Sequence, residues 1–325
     1  MGNYETIVSF MVNRYILTAF VAVIVVFASC SEQEANIYLP QSDLPVIIAA
    51  AQDSKTLTQD GGNVLWEDGD KIGLFVANSS TQEERKRSAV YQTALNGPSP
   101  EARFTKIDEL TAGVGNGLYY AAYPVESISR WGSQNAMDNV PTARRCYVTI
   151  PVEQIAVKGG WDRKAGILAA SSSGARFIFN HAVTYVKFTV GDKTTPFVKL
   201  TIQSTAGEPM AAEEAAILYG DNNTISVSSY SKPSDHVILT STDDSTIEKG
   251  TYYIAFMPGS FDEGFAFTFE NANSDITTIY VSGKHMLNPG EVANIGTLGR
   301  LPFKEKVNSS VSQFVEVNVP LFEAL

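Results

Sequence analysis

Residues 177–190 read FIFNHAVTYVKFTV. Aromatic and β-branched side chains fill the run, and these are the types that suit a pleated, half-buried surface. It is long enough for one long strand or two. The same reading spreads outward from it. Residues 198–202 (VKLTI) alternate with period two, and residues 265–270 (FAFTFE) put three phenylalanines on one face. Residues 251–256 (TYYIAF) and 276–281 (ITTIYV) are further strands, and turn residues such as Asp221-Asn222-Asn223 separate such runs.

Upstream, residues 46–51 (VIIAAA) form the first apolar run of strand length. Residues 66–75 (WEDGDKIGLF) supply turn chemistry at Asp68-Gly69-Asp70 and then enter a strand. The glycines of residues 113–117 punctuate the chain before Leu118-Tyr119-Tyr120-Ala121-Ala122-Tyr123, a strand closed by Pro124. Cys146-Tyr147-Val148-Thr149-Ile150 is another, closed by Pro151. Residues 161–170 are read as one short helix. Strands therefore recur every ten to fifteen residues with almost no helical period between them, which predicts a mainly β protein of antiparallel sandwich architecture. The small, uncharged stretch Ser171-Ser172-Ser173-Gly174 is the best candidate boundary. It divides the chain into an N-terminal β-domain over 46–173 and a C-terminal one over 174–303. Residues 304–325 remain as an extension, whose run FVEVNV places Val315, Val317 and Val319 on one face before Pro320.

The N-terminus reads as an address. Arg14 is the only basic residue among the first thirty, and residues 15–30 (YILTAFVAVIVVFASC) are almost wholly apolar. The run is shorter than the ~20 residues a membrane-crossing helix needs, and small residues follow it, as in a secretory signal. Cys30 directly after Ala28-Ser29 points to a lipoprotein signal over residues 1–29, cut before an acylated Cys30. The simpler alternative is an ordinary signal cut near Ala28. Polar residues 30–45 then form a tether. With 24 basic and 35 acidic residues the net charge is −11, so long-range repulsion opposes binding to nucleic acid or an anionic membrane surface. The outer membrane would hold the protein through its lipid. Of two cysteines, acylation of Cys30 leaves Cys146 without an intrachain partner.

No catalytic set emerges. His181, His236 and His285 lack metal-ligand spacing, and His181 lies in a strand-like run as a packed side chain. There is no nucleophile elbow, and the 113–117 glycines lack the following helix a phosphate cradle needs. The turn Glu67-Asp68-Gly69-Asp70 could gather oxygens around calcium, although a solvated β-turn explains it as well. Trp131 and Trp161, read as exposed loop residues, could stack on sugars or serve in packing. No cofactor is implied. A secreted, acidic β protein without a catalytic set is most simply a binding or assembly protein.

An ordered set of motifs resembles the fimbrillin family, the type V pilins of anaerobic Gram-negative gut and oral bacteria. It comprises the signal ending at Cys30, residues 66–73 (WEDGDKIG) and residues 120–124 (YAAYP). Ile150-Pro151 with Gln154 follows, then Phe179-Asn180-His181-Ala182 leading to Val186-Lys187-Phe188. Gly250-Thr251-Tyr252-Tyr253 and Leu287-Asn288-Pro289-Gly290 complete it. The resemblance implies two transthyretin-like antiparallel β-sandwich domains and a shaft, anchor or tip subunit of an adhesive pilus. It further implies that a protease removes the leader and first strand, so that another subunit's strand fills the groove. On this sequence residues 46–51 would be the strand removed, and Val315, Val317 and Val319 the face of a donor strand. Relatives are cut after an arginine, but none lies between Cys30 and Arg85, and Lys55 stands where one would be sought. An anchor or accessory subunit that keeps its lipid fits that departure. The alternative is a monomeric surface lipoprotein that binds a glycan or host protein.

Overall fold

A computed structural model describes residues 44–51, 65–76, 87–114, 117–132, 145–243 and 245–304. Cys30, Lys55, Val315, Val317 and Val319 lie outside the described residues.

The described chain is mainly β. Seven strands close a barrel in the order β1 (Val46–Ala51), β10 (Arg176–His181), β9 (Leu168–Ser172), β5 (Tyr119–Tyr123), β2 (Lys71–Phe75), β3 (Ser88–Thr93) and β4 (Glu101–Lys106). Four further sheets make up the rest. One is β19 (Ile276–Val281), β18 (Phe265–Glu270), β12 (Lys199–Ser204), β15 (His236–Thr240) and β8 (Glu153–Ile155). The second is β14 (Ile225–Ser234), β13 (Ala211–Tyr219), β7 (Arg145–Ile150) and β6 (Ile128–Trp131). The third is β16 (Gly250–Phe256), β11 (Thr184–Val190) and β21 (Val292–Leu298). The last pairs β17 (Gly259–Phe261) with β20 (His285–Leu287). Most pairings are antiparallel; β1 with β10, β11 with β21 and β15 with β8 are parallel.

The opening run is two strands. β10 and β11 are separated at Ala182-Val183, and the chain passes there from the barrel to another sheet. Ser171 and Ser172 end β9, and Ser173 and Gly174 begin the short connection to its partner strand β10. Strands on either side of it share sheets, as β7 does with β13 and β8 with β15.

Two apolar clusters hold the molecule together. The barrel encloses one, with Ile47, Trp66, Tyr91, Phe104, Tyr123, Phe177 and Phe179 in it. The other fills the space among the remaining sheets, with Tyr185, Phe188, Phe197, Phe256, Phe265, Phe267 and Phe269. β5 explains why its sequence is an unbroken apolar run. Tyr119, Ala121 and Tyr123 point into the barrel, whereas Tyr120 and Ala122 join the second cluster. A strand buried on both faces shows no polar alternation.

Residues 161–170 do not form a helix. A turn at Arg163–Ala165 leads into β9, because Asp162 Oδ1 accepts the Lys164 N–H at 2.9 Å and the following residues enter the barrel. Trp131 is not exposed. It sits on β6 at 3% exposure, stacked on Tyr219 and donating its indole N–H to Ser88 Oγ at 2.9 Å.

Candidate functional site

The first strand occupies a singular position. β1 lies between β4, antiparallel to it, and β10, parallel to it, and so closes the barrel. Its alternation is the simple strand kind: Ile47 and Ala49 point inward at 0% exposure, and Ile48 points out. Just before it, Leu44 is buried, and its carbonyl accepts the Tyr91 hydroxyl at 2.6 Å. Register defines each row of side chains across β1. Ala49 stands between Ala102 and Phe177, and Ile47 stands beside Phe104. On the outer face Ile48 lies between Arg103 and Arg176, and Ala50 between Glu101 and Ile178. Arg176 and Glu101, on the two flanking strands, pair at 2.6 Å across the outer face of β1.

Trp66 fills the barrel beside this strand. Its ring meets Phe104, Tyr123 and Phe179 edge-on, with centroids 5.1, 5.3 and 5.4 Å away, an arrangement aromatic quadrupoles favour. The turn that follows is fixed by its own acids. Asp70 Oδ2 accepts the Glu67 N–H at 2.8 Å, and Asp68 Oδ1 accepts the Leu95 N–H at 3.0 Å. Arg163 clamps the turn by pairing with Asp70 and Glu67 and donating to the Leu65 carbonyl. The Glu67–Asp70 oxygens therefore already serve an arginine and backbone amides. Burial pushes the Asp70 carboxyl above its usual value; the Glu67 amide, Arg163 and the Tyr123 hydroxyl pull the other way. Among the described residues no group of three or more His, Cys, Asp or Glu side chains is placed to hold a metal.

The histidines separate. His181 is buried at the end of β10, with Nδ1 2.9 Å from the Tyr185 hydroxyl and no partner at Nε2 among the described residues. Burial lowers its pKa to about 4. Trp161 packs on His181, Tyr185 and Tyr253, so it acts in packing. His236 pairs with Asp235 at 2.9 Å, and His285 stacks on Phe265.

The motif residues named above hold backbone and core together. Gly73 allows Ile128 and Ser88 to approach where a Cβ would lie 2.6 Å from each. Gly290, at φ +78°, turns the chain against His181. Gln154 is the sharpest case. Its buried amide accepts the Ala255 N–H at 3.0 Å and donates to the Ala255 carbonyl at 2.6 Å, as a neighbouring strand would. It thus satisfies the edge of β16.

A feature not legible from sequence lies on the outer face of β6, β7, β13 and β14. The Arg130 guanidinium lies 3.5 Å from the Tyr147 ring centroid and 5.2 Å from that of Tyr230. It pairs with Glu214 at 3.1 Å. Tyr230 remains 52% exposed. These residues are distant in sequence, and only strand pairing brings them together.

The fold is similar to several crystal structures. One is a provisionally named cell adhesion protein from Bacteroides uniformis, at 13% identity and a TM-score of 0.45, covering 78% of this chain and 93% of that one. Another provisionally named cell adhesion protein, from Bacteroides ovatus, shows 14% identity and a TM-score of 0.46, covering 81% and 96%. A fimbrial protein from Bacteroides ovatus shows 13% identity and a TM-score of 0.35, covering 79% and 51%. No protein-family model and no curated protein matches the chain.

Proposed function

We propose that this chain is a surface-exposed, fimbrillin-like subunit of an adhesive type V pilus, acting in cell adhesion and assembled by β-strand exchange. It reaches the outer membrane as a lipoprotein on Cys30 and serves as an anchor or accessory subunit. The observation that supports this reading is the position of β1. It is an apolar strand, VIIAAA, inserted between β4 and β10. Its withdrawal would leave two lines of unpaired backbone groups and an apolar slot, the requirements for β-augmentation. The described motif residues Gly73, Gln154 and Gly290 hold backbone and core, which fits a structural role. Val315, Val317 and Val319 remain the proposed donor face toward another subunit.

The test is the mature N-terminus of protein taken from cells, read by mass spectrometry. Acylated Cys30 supports a standing anchor, and a free Thr56 would show processing at Lys55 and a polymerising subunit. Deleting residues 311–325 should shorten or abolish polymers; unchanged polymers would remove the donor role. The second reading, a monomeric surface lipoprotein that binds a glycan or host protein, is favoured by the exposed Tyr230 ring beside Arg130 and Tyr147. Glycan-array binding by the monomer, lost in Tyr230→Ala, would establish it.

A further inference from the structure

If β1 is replaced in assembly, as proposed above, the slot it leaves has a defined shape. Ile47 lies in the row of Phe104, and the register continued by one residue sets Ala175 on its other side. Ala49 lies between Ala102 and Phe177. Large and small residues therefore alternate between β1 and β10: isoleucine beside alanine, then alanine beside phenylalanine. Phe177 and Phe179 are fully buried, and Phe179 packs on Trp66. The barrel interior beside Ala49 is thus already occupied by aromatic rings. A branched side chain there adds methyl groups to a filled core, which forces rotamers or backbone to shift.

We infer that Phe177 makes this groove selective by size: it accepts an incoming strand with a branched apolar residue in the Ile47 row and alanine in the Ala49 row. The inference rests on the strand-replacement reading and adds the sequence of the partner. The chain's own run FVEVNV does not meet that rule. Placing Val315 in the Ile47 row puts Val317 in the Ala49 row, opposite Phe177. The fitting partner is an alanine-bearing strand of a different subunit, and the chain's own run is matched to a groove other than its own. The outer face discriminates less. Arg176 and Glu101 span the surface beside Ala50, but their side chains are 60% and 46% exposed, so the pair can open at little cost.

The experiment uses the mature chain, residues 30–325, with a site-specific protease sequence placed among residues 52–64 and cut after folding. β1 then remains without a covalent link, and complete cutting is verified by mass spectrometry. In mild urea, fluorescein-labelled peptides compete for the slot, and anisotropy gives their affinities. The peptides are residues 44–51, the same with Ala49→Val, the same with Ala50→Val, and residues 312–319. The residue 44–51 peptide should enter. Ala49→Val should weaken it on the order of ten- to a hundredfold, the effect of overpacking a core. Ala50→Val should change it by about threefold or less, because Ala50 is only half-buried and lies on the outer face, away from the filled core. Residues 312–319 should bind as weakly as the Ala49→Val peptide. Phe177→Leu should recover most of the loss for the Ala49→Val peptide and for residues 312–319 without strengthening the parent. Parent and Ala49→Val peptides binding within about threefold of each other would overturn the size rule while leaving strand replacement intact. Failure of every peptide, the parent included, would overturn strand replacement and the inference with it.

Discussion

Parallel pairings occur in the barrel, at β1 with β10, and in the sheets beside it, at β11 with β21, yet the strands that make them are built of different materials. β11, at the centre of the three-stranded sheet, buries Tyr185, Val186, Phe188 and Val190, and its neighbour β16 buries Tyr252, Tyr253, Ile254 and Phe256. β1, which closes the barrel, is VIIAAA, and among its described side chains Ile47 and Ala49 are buried. Burial free energy scales with apolar area, so β1 contributes less than β11. The sheets are held from many sides; the barrel is shut by one light strand. A lightly built seam can open locally while the rest of the structure keeps its shape.

The largest effect should come from the heavily built side. Phe256→Ala removes a fully buried ring packed on Phe261 and Phe265, and should cost about 3–5 kcal/mol of global stability. Chemical denaturation reads it as a lower midpoint with the slope retained. A loss under about 1 kcal/mol would mean that this cluster repacks freely, and the contrast would dissolve.

Next comes the seam where the chain crosses between the two regions. His181 is neutral and buried there, with a pKa depressed to about 4 by burial, against 6.5 when unfolded. The unfolded chain then binds the extra proton between those values, so the contribution is fully present above about pH 6.5 and is lost as pH falls toward 4. At 1.36 kcal/mol per unit the loss is roughly 3 kcal/mol. Carboxylates also titrate near the low end of this window, so the useful measurement is the difference between the parent and His181→Gln. The variant should have a shallower decline between pH 6.5 and 4, whatever its stability at neutral pH. Parallel curves would show that His181 is not protonated on unfolding in that window.

Much of this contrast was visible in the residues alone. β1, the phenylalanine face of β18 and the apolar β5 follow from period and composition, because burial dictates them locally. β13 was passed over: AAEEAAILY has the composition of a helix. It becomes a strand because β7 and β14 hydrogen-bond to both its sides, a tertiary effect no local window contains. The sheets likewise join strands from distant segments, so the barrel's closure and its parallel partner β10 could not be read in advance. The resemblance pointed to Gln154, but its pairing with Ala255 depends on two segments a hundred residues apart meeting. Of the candidate site, β1 itself was legible. The size rule set by Phe177 was not, since register across β1 is a property of the fold.

A smaller and more localised effect should follow Ile47→Ala. The cost should be about 2–3 kcal/mol, at the low end for such truncations, because a terminal strand can settle into the gap. The comparison sharpens on where the loss appears. Hydrogen exchange should quicken at amides of β4 and β10 that face β1, while those of β11 and β16 keep their protection. Uniform loss across all four strands would mean that barrel and sheets open as one unit, and the light closure would then have no separate life.

The smallest effect concerns the clamp on the Trp66 turn. Arg163 holds Glu67, Asp70 and the Leu65 carbonyl, but its side chain is 39% exposed, and water replaces much of what it gives. The Asp70 carboxylate keeps the Glu67 N–H and the Tyr123 hydroxyl as donors when Arg163 is removed, which limits the cost. Arg163→Ala should therefore lower the unfolding midpoint by no more than about 1 kcal/mol in equivalent free energy. Its signature is local. The Glu67 and Asp70 amides, bonded within the turn, should exchange faster, while the barrel amides beyond Trp66 stay protected by the ring's contacts with Phe104, Tyr123 and Phe179. If barrel protection falls together with the turn, the clamp is part of the closure, and β1 does not hold the barrel shut by itself.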